Sequence, residues 1–414
     1  MSKLVIKKED IVKLIKKLLS SVTAIACGMS VMCGSSALLT ASADGTYDKL
    51  TYVLWDGDRD GAYDYVEITD CDEYAINVEI PSKIEGLPVE SIGFGAFRDC
   101  VILTSITIPD SVKSIESCAF SSCVSLESIT IPDSVTSIGY DAFWRADFIH
   151  SQTGVKYADK WVVECDANVT SAELKAGTRG IAKDAFKGCT SLESITIPDG
   201  VTYINWRAFY ECTSLKSITI PDSVTNMSSN VFIGCTSLES VIIPDSLTRI
   251  RELTFMDCKS LKSITIPKSI TNIGNLAFSG CENLKSVIIL NPDCEIYMND
   301  ETICNGSNED SKAYYKGIIY GYADSTAQTY ADEYNYKFLA INDYGVLGDA
   351  DDDGKVTAKD SSLMFSEFKR IYRSEPSTFT EQQMKRCDLN CDGKITAIDV
   401  SKVFSIYKEN YRRG

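Results

Sequence analysis

Apolar and polar residues alternate along the middle of the chain in a pattern that returns every 23 residues. A representative copy, LESITIPDSVTSI, has two short alternating stretches separated by a Pro-Asp step. Alternation predicts half-buried strands, and proline fixes the backbone angle φ of the turn between them. The Ile-Pro step recurs, mostly at this spacing, at Ile108, Ile131, Ile197, Ile220, Ile243 and Ile266. The pattern therefore predicts a series of similar two-strand turns.

A phenylalanine closes each copy and confirms the register. The positions are Phe97, Phe120, Phe143, Phe186, Phe209, Phe232, Phe255 and Phe278. One copy cannot bury its own apolar face, whereas stacked copies share a continuous core. In the representative copy the residues predicted to point inward are Leu126, Ile129, Ile131, Val135, Ile138 and Phe143. We therefore predict a β-rich solenoid.

The repeats are predicted to fill residues 80–290, opening at Ile80. One step is 20 residues too long, and the insertion near residues 145–170 is predicted to form an extra hairpin that projects from the solenoid. Because terminal repeats need caps, residues 44–79 and 291–341 are assigned to an N-terminal and a C-terminal cap. Within the second cap, residues 325–334 are predicted to be helical and residues 337–341 to form a strand.

This pattern resembles the BspA-like leucine-rich repeats of bacterial surface proteins over about residues 78–290. It departs from the commoner leucine-rich repeat, which places Asn or Cys after its last strand leucine. Here that position holds Ser134 or Ser223. The resemblance implies strand-rich coils of 23-residue leucine-rich repeats rather than a horseshoe with long helices.

Seven of the sixteen cysteines occupy one slot of successive repeats. They are Cys100, Cys123, Cys189, Cys212, Cys235, Cys258 and Cys281. Free cysteine is among the most buried residue types, so we expect a ladder of small buried groups. A disulfide framework is the alternative for a secreted chain.

Two acidic loops of twelve residues follow the second cap: DADDDGKVTAKD at 349–360 and DLNCDGKITAID at 388–399. Calcium takes six to eight oxygen ligands, which an EF-type loop supplies from positions 1, 3, 5, 7, 9 and 12, with glycine at 6. Loop one offers Asp349, Asp351, Asp353, the Lys355 carbonyl, Thr357 and Asp360. Loop two offers Asp388, Asn390, Asp392, the Lys394 carbonyl, Thr396 and Asp399. Two loops in register predict two Ca²⁺ ions.

Each loop has Asp at position 12 and a predicted helix only after it, over residues 361–372 and 400–411. A shift of 39 residues superimposes the two halves and pairs Phe365 with Phe404. Duplicated units of this kind resemble a dockerin, over residues 346–414. This is the module by which secreted proteins of fibre-degrading anaerobic bacteria attach to cohesins on a scaffoldin, in the cellulosome.

The dockerin resemblance implies a cohesin partner and a contact surface. Loop positions 10 and 11 touch the cohesin in that family, which here correspond to Ala358, Lys359, Ala397 and Ile398. Because Lys359 and Ile398 differ, we predict that one of the two pseudo-symmetric binding orientations is preferred. A module this small buries little, so calcium should supply much of its folding free energy.

A third acidic stretch, DGDRDGAYDYVE at 56–67, has the same spacing. Its candidate calcium ligands are Asp56, Asp58, Asp60 and Glu67. The flanking segments are strand-like, so a solvated hairpin turn is the alternative.

Residues 1–43 combine a lysine-rich start, an uncharged run and an Ala-Ser-Ala ending. This predicts a secretory signal peptide cleaved after Ala43, and a secreted protein that is extracellular or held at the cell surface through a scaffoldin. A membrane anchor, or a lipid anchor at Cys27 or Cys33, is the alternative. The net charge is −17, and removal of six lysines and two acids would leave −21. Such a charge opposes binding to nucleic acid and to anionic membrane surfaces.

The single histidine and the acids of the repeats restrict the possible function classes. The single histidine, His150, excludes a His-dependent triad unless it serves itself. The acids of the repeats recur in the turns, which argues against a unique catalytic pair. We therefore expect no enzyme activity but a binding or adhesion protein, anchored by its dockerin for polysaccharide catabolism, whose solenoid takes a protein or polysaccharide ligand.

The alternatives are a glycoside hydrolase, since paired carboxylates suffice for that chemistry, and a module that inhibits or captures another protein. A row of outward residues is a candidate contact face, although threonine also simply suits an exposed strand. The row consists of Thr107, Thr130, Thr196, Thr219 and Thr265, interrupted by Ile242.

Overall fold

The computed structural model describes residues 42–146, 148–149, 153–307, 312–342, 345–346, 348–351, 355–373, 375–388, 395–396, 399–400 and 403. The predicted signal sequence up to residue 41, with Cys27 and Cys33, lies outside these residues, as does His150. Two compact units divide the chain: residues 1–150 with 156–159, and residues 151–155 with 160–414. Over the described residues, the helices are too short or too polar to cross a membrane.

The first unit is built from short strands that pair turn upon turn. Its strands are β1 (Ser42–Tyr47), β2 (Leu50–Trp55), β3 (Tyr65–Cys71), β4 (Asn77–Glu79), β5 (Lys83–Ile84), β6 (Leu87–Ile92), β7 (Ser105–Thr107), β8 (Ser114–Ile115) and β9 (Ser137–Ile138). Strands β1, β2 and β3 are antiparallel, and β3, β6, β8 and β9 then continue in parallel. The parallel register aligns Ile68, Ile92, Ile115 and Ile138, one from each turn.

The next strand, β10 (Val155–Ala158), falls at the boundary of the two units. The second unit contains β11 (Trp161–Cys165), β12 (Ser171–Glu173), β13 (Gly180–Ile181), β14 (Ser194–Thr196), β15 (Tyr203–Ile204), β16 (Ser217–Thr219), β17 (Asn226–Met227), β18 (Ser240–Ile242), β19 (Arg249–Ile250), β20 (Ser263–Ile266), β21 (Asn272–Ile273), β22 (Ser286–Ile289), β23 (Glu295–Ile296), β24 (Gly306–Ser307), β25 (Ala313–Tyr314), β26 (Ile318–Gly321), β27 (Lys337–Asn342) and β28 (Gly345–Val346). Its parallel ladders run β11-β13-β15-β17, β19-β21-β23 and β20-β22-β26-β27. The predicted β-solenoid is confirmed.

The insertion predicted to project as a hairpin contains two strands, β10 and β11, separated by two residues, but it does not project, because β11 joins this stack. Strand β11 pairs in parallel with β13, and Trp161 and Val162 are fully buried. The reason is the apolar run that carries them, because it can be buried only against the neighbouring turn.

Three helices lie toward the C-terminal end of the described chain: α1 (Thr326–Glu333), α2 (Ala358–Tyr372) and α3 (Glu381–Cys387). The predicted cap helix is confirmed as α1, whose N-cap Ser325 accepts from the backbone N–H of Gln328. The predicted cap strand is confirmed as β27. Helix α3 was not predicted: a helix precedes loop two, so the expectation of a helix only after each loop is wrong there. A capping box formed by Thr380 and Gln383 starts it.

The core of each unit is a stack of identical side chains. All six predicted core residues of the representative copy are buried: Leu126, Ile129, Ile131, Val135, Ile138 and Phe143. In the first unit the Phe97, Phe120 and Phe143 rings stack with centroids 5.0 and 5.5 Å apart. In the second unit the rings from Phe186 to Phe278 stack at 5.1 to 5.4 Å. The rings of neighbouring turns therefore bury one another.

The cysteine slot forms the expected ladder: all seven residues are buried, and they are thiols rather than disulfides. The structure adds a hydrogen bond that the sequence did not predict. The thiol of Cys235 donates to the carbonyl of Phe209, 3.1 Å away on the preceding turn. The same bond is made by Cys123, Cys212, Cys258 and Cys281 to the phenylalanine 26 residues earlier. Each of these five thiols therefore joins two turns.

Candidate metal centre and docking module

Loop one gathers carboxylates in a space that water hardly reaches. One carboxylate oxygen each from Asp349, Asp351 and Asp360 lies within 4.8 Å of the others. Asp349 and Asp360 are 1% and 0% exposed. Buried carboxylates are unfavourable unless a cation compensates them, and carboxylate oxygens are the ligands that calcium prefers. The donor set therefore fits a calcium ion.

Asp360, at position 12, also closes the loop. Its Oδ1 accepts from the backbone N–H groups of Ala350 and Asp351, and its Oδ2 accepts from the N–H and hydroxyl of Thr357. Thr357 caps α2, so loop and helix share one capping box. Helix α2 consequently begins at Ala358, three residues before the predicted start. Position 12 of an ordinary EF-hand is glutamate. The shorter side chain of Asp360 reaches its partners here because Ala350, Asp351 and Thr357 lie within hydrogen-bond distance of it.

Lys359 lies closer to the metal centre than its predicted role suggests. Its Nζ is 2.5 Å from Oδ2 of Asp351, and the lysine side chain is 70% exposed. A residue predicted to contact the cohesin therefore also pairs with a predicted calcium ligand. Ala358 is exposed beside it.

Loop two repeats the organising bonds of loop one. Asp399 is fully buried, and its Oδ2 accepts from the N–H and hydroxyl of Thr396 at 2.9 and 2.8 Å. Asp388 follows α3 directly as its C-cap. Other predicted residues lie outside the described ones: Asp353 in loop one, and Asn390, Asp392, Lys394, Ala397 and Ile398 in loop two. Lys355 is described and exposed.

The predicted calcium-binding module at residues 346–414, called the calcium module below, shares its buried core with strands β26 and β27 of the C-terminal cap. The buried cluster contains Leu339 of β27 together with Ala350, Val356, Met364, Cys387, Ile395 and Val403, and Ile318 and Tyr320 of β26 pack against it. Burial raises the pKa of Tyr320, and the neighbouring Asp349 raises it further. Tyr320 therefore lies near the first predicted ligand of loop one.

The opposite side of α2 faces solvent with aromatic groups. Phe365 and Tyr372 are 46% and 82% exposed, and Lys369 lies over the Phe365 ring at 4.2 Å. On the buried side, the Glu367 carboxylate accepts from the N–H and hydroxyl of Thr378. The helix thus presents an uncovered face that begins at Ala358 and Lys359.

The third acidic stretch brings together a different set from the predicted one. Asp56 and Asp58 approach Asp64, within 4.8 Å, whereas Asp60 and Glu67 do not belong to the group. Asp60 accepts from the N–H of Ala62 within its own turn. Glu67 cannot turn back to the loop, because it already belongs to β3 and pairs with Ser91 of β6.

Glu67 has an environment that sequence reasoning missed. Its Oε1 lies over Gly93, where an added Cβ would be only 2.7 Å away. Burial raises the pKa of Glu67 to about 7, and the nearby Glu116 contributes to the shift, although a hydrogen bond from Ser91 opposes it. The alternation of β3 signals only partial burial at this position and gives no sign of the second acid.

Comparisons with known proteins agree with this architecture. The family model of the BspA type leucine rich repeat region matches residues 75–181 and 179–299, and that of the dockerin type I domain matches residues 347–404. No curated protein matches the chain.

Three solved structures of leucine-rich repeat proteins are similar to part of this chain. A leucine rich cell surface protein from Faecalibacterium prausnitzii is 22% identical over 73% of this chain and 96% of its own, with a TM-score of 0.28. A T. pallidum leucine rich repeat protein is 23% identical over 72% and 98%, with a TM-score of 0.28. One from Eubacterium ventriosum is 18% identical over 69% and 95%, with a TM-score of 0.34.

The fold and the site together define a repeat solenoid joined to a docking module. The chain belongs to the BspA-type leucine-rich repeat family and carries a C-terminal dockerin type I domain. A dockerin implies anchoring to a cohesin, and leucine-rich repeats imply a binding module.

Proposed function

We propose that the protein is a secreted, non-catalytic binding protein that calcium-dependent docking holds on a cellulosome scaffoldin. The observation that carries this proposal is the buried carboxylate cluster of Asp349, Asp351 and Asp360, with its partial duplicate at Asp399. Two calcium ions would be held there, one in each loop. Bound calcium would offset the buried charge and fix the position of α2.

The outward face of α2 would then meet the cohesin. Ala358 and Lys359 begin this face, and Phe365 and Tyr372 extend it. Exposed aromatic and basic groups are typical anchors of protein interfaces. The repeats would bind a ligand, either a protein or a polysaccharide, while the dockerin holds the chain on the scaffoldin.

The repeat acids support the absence of catalysis. Those of the Pro-Asp turns, Asp133, Asp199, Asp222 and Asp245, are all exposed. A general acid for glycoside hydrolysis needs a raised pKa beside a second carboxyl group. Repeated exposed turns do not provide that environment.

One observation favours the hydrolase as a second candidate function. Glu67, with its raised pKa, lies near Glu116, and the stacked rings of Trp55 and Tyr65 are 6.5 Å apart at one end of the same sheet. Release of reducing sugar from plant polysaccharides by the full chain, lost in Glu67→Gln, would establish this candidate and overturn the non-catalytic proposal.

The docking proposal is tested with the full secreted chain and immobilised type I cohesins. We expect retention in calcium and release by EDTA. A chain that binds no cohesin with calcium present would contradict the proposal. Exchange of the residues at positions 359 and 398 should change which orientation dominates in the complex.

A further inference from the structure

The outward row of residues, mostly threonine in the repeats, becomes apolar toward the strands that contact the calcium module. The row is exposed at Thr265 of β20. Strand register carries it from Thr265 to Ile288, then to Tyr320 and Leu339. Apart from Ile242, the threonines of the row thus give way to larger aliphatic and aromatic side chains over the last strands. An exposed strand does not require that change.

The same residues face the calcium module. In β26, Ile319 is fully buried while its neighbours Ile318 and Tyr320 point to the other side and pack on the module's core. Leu339 is 4% exposed and belongs to that core directly. Two faces of one sheet are therefore apolar here, one for the solenoid and one for the module.

The connection between the two parts is short and paired. Strand β28 pairs antiparallel with β27, with Val346 opposite Ile341. The dockerin match begins at residue 347, immediately after this strand. Gly348 then donates from its N–H to the carbonyl of Arg386 in α3. The chain thus enters the module already held against the last turn of the repeats.

Loop one is within reach of this contact. Ala350 lies between two predicted ligands, is 1% exposed, and belongs to the same cluster as Leu339. Its carbonyl accepts from the side-chain amide of Gln383, and its N–H donates to Asp360. A change at Leu339 therefore acts on a residue that the calcium loop positions by hydrogen bonds.

We infer that β26 and β27 form a seat for the calcium module, with Leu339 and Tyr320 as positioning residues for loop one. Calcium binding and the ordering of β27 are then coupled, each favouring the other to the same extent. This inference rests on the proposed binding of calcium. It makes the dockerin an extension of the repeats rather than a tethered module.

Hydrogen exchange of the full chain, with calcium and with EDTA, tests the coupling. We expect amide exchange in β27 to slow about tenfold with calcium, which is a modest coupling between two sites. Strands β16 and β18, in the middle of the same unit, should not change. Calcium titration of the same sample by calorimetry separates the outcomes. Calcium that binds without protecting β27 overturns the inference alone, whereas a chain that binds no calcium overturns the proposed function with it.

A pair of matched substitutions gives a second test. Leu339→Ala should weaken calcium binding about tenfold, since truncation of a buried leucine removes substantial packing free energy, and Leu339→Met should restore most of it. Leu215→Ala, at an equally buried leucine of the repeats, should leave calcium affinity unchanged. Equal effects of the two alanine variants, or none from Leu339→Ala, would overturn the inference.

Discussion

The repeats and the calcium module bury their interiors in opposite ways. In the repeats, each inward slot receives the same apolar group or thiol from every turn, such as Phe232 on Phe209 at 5.4 Å. In the module, the buried residues include Asp349, Asp360 and Asp399. Apolar burial stabilises a fold without any ligand, whereas buried carboxylates need a cation. We therefore expect the stability of the second region to depend on calcium and that of the first to be independent of it.

The largest effect should follow removal of the Asp360 carboxylate. Asp360→Ala deletes one predicted ligand and four hydrogen bonds that close loop one. We expect calcium affinity at that loop to fall by at least about a hundredfold. Loss of an outer-shell partner of a metal site costs up to about a hundredfold, and Asp360 is predicted to be a direct ligand. Calorimetric titration measures it.

The matched control is Asp222→Ala, because Asp222 is an exposed turn acid of the repeats. It should leave calcium binding and unfolding unchanged. Undiminished calcium affinity in Asp360→Ala would mean that loop one is not the binding site.

Truncation of one stacked ring should show the independence of the repeats from calcium. Phe232→Ala is expected to cost about 3–5 kcal/mol of unfolding free energy, because the side chain is fully buried between two rings. The loss should be the same in calcium and in EDTA. Urea unfolding followed by circular dichroism measures both.

Phe365→Ala serves as the comparison on the other side. That ring is 46% exposed on α2, so we expect a loss below about 1 kcal/mol. A calcium-dependent loss in Phe232→Ala would show that the two regions do not differ as described.

Glu67, on β3 of the N-terminal cap, is a partly buried acid with a raised pKa, so the stability of the first unit should depend on pH. Its folded pKa of about 7 is above the unfolded value. Stability from this group is therefore full below the unfolded pKa and is lost as pH rises through about 7. Glu67→Gln should remove this pH dependence and raise stability at pH 8 by about 3 kcal/mol.

Thermal unfolding between pH 5 and 8 measures the effect on the first unit. Glu127→Gln, at an exposed repeat position, is the matched control and should leave the slope unchanged. A slope that persists in Glu67→Gln would assign it to another group.

How much the sequence could predict differs between the regions for a physical reason. A periodic pattern states the same local rule many times, so the inward residues from Leu126 to Phe143 and the thiol ladder followed from spacing alone. The cap helix and the helix after loop one were also predicted, although α2 begins three residues earlier than expected because Thr357 caps it. Spacing could also name candidate ligands of loop one, because an EF-type loop places them by position, and the structure brings three of them together: Asp349, Asp351 and Asp360.

Contacts distant in sequence were not predictable in this way. Helix α3 is short and weakly patterned, and tertiary contacts hold it, as its buried Arg386 and Cys387 and the hydrogen bond from Gln383 to Ala350 show. Glu67 was placed on a loop because its spacing fitted, although strand pairing with Ser91 directed it elsewhere. The seat at Leu339 depends on which strands pair at the end of the solenoid.

The smallest expected effect concerns what the thiol ladder does. Burial raises the pKa of Cys235, so the thiol stays protonated and donates to the Phe209 carbonyl. That carbonyl also accepts from the N–H of Cys212, so loss of the thiol leaves it satisfied. We expect Cys235→Ala to cost about 1 kcal/mol, from one hydrogen bond and a small cavity. Cys235→Ser should cost less, because a hydroxyl can donate the same bond. If urea unfolding shows serine to be the costlier replacement, the slot is an apolar filler, and the inter-turn bond contributes nothing that can be measured.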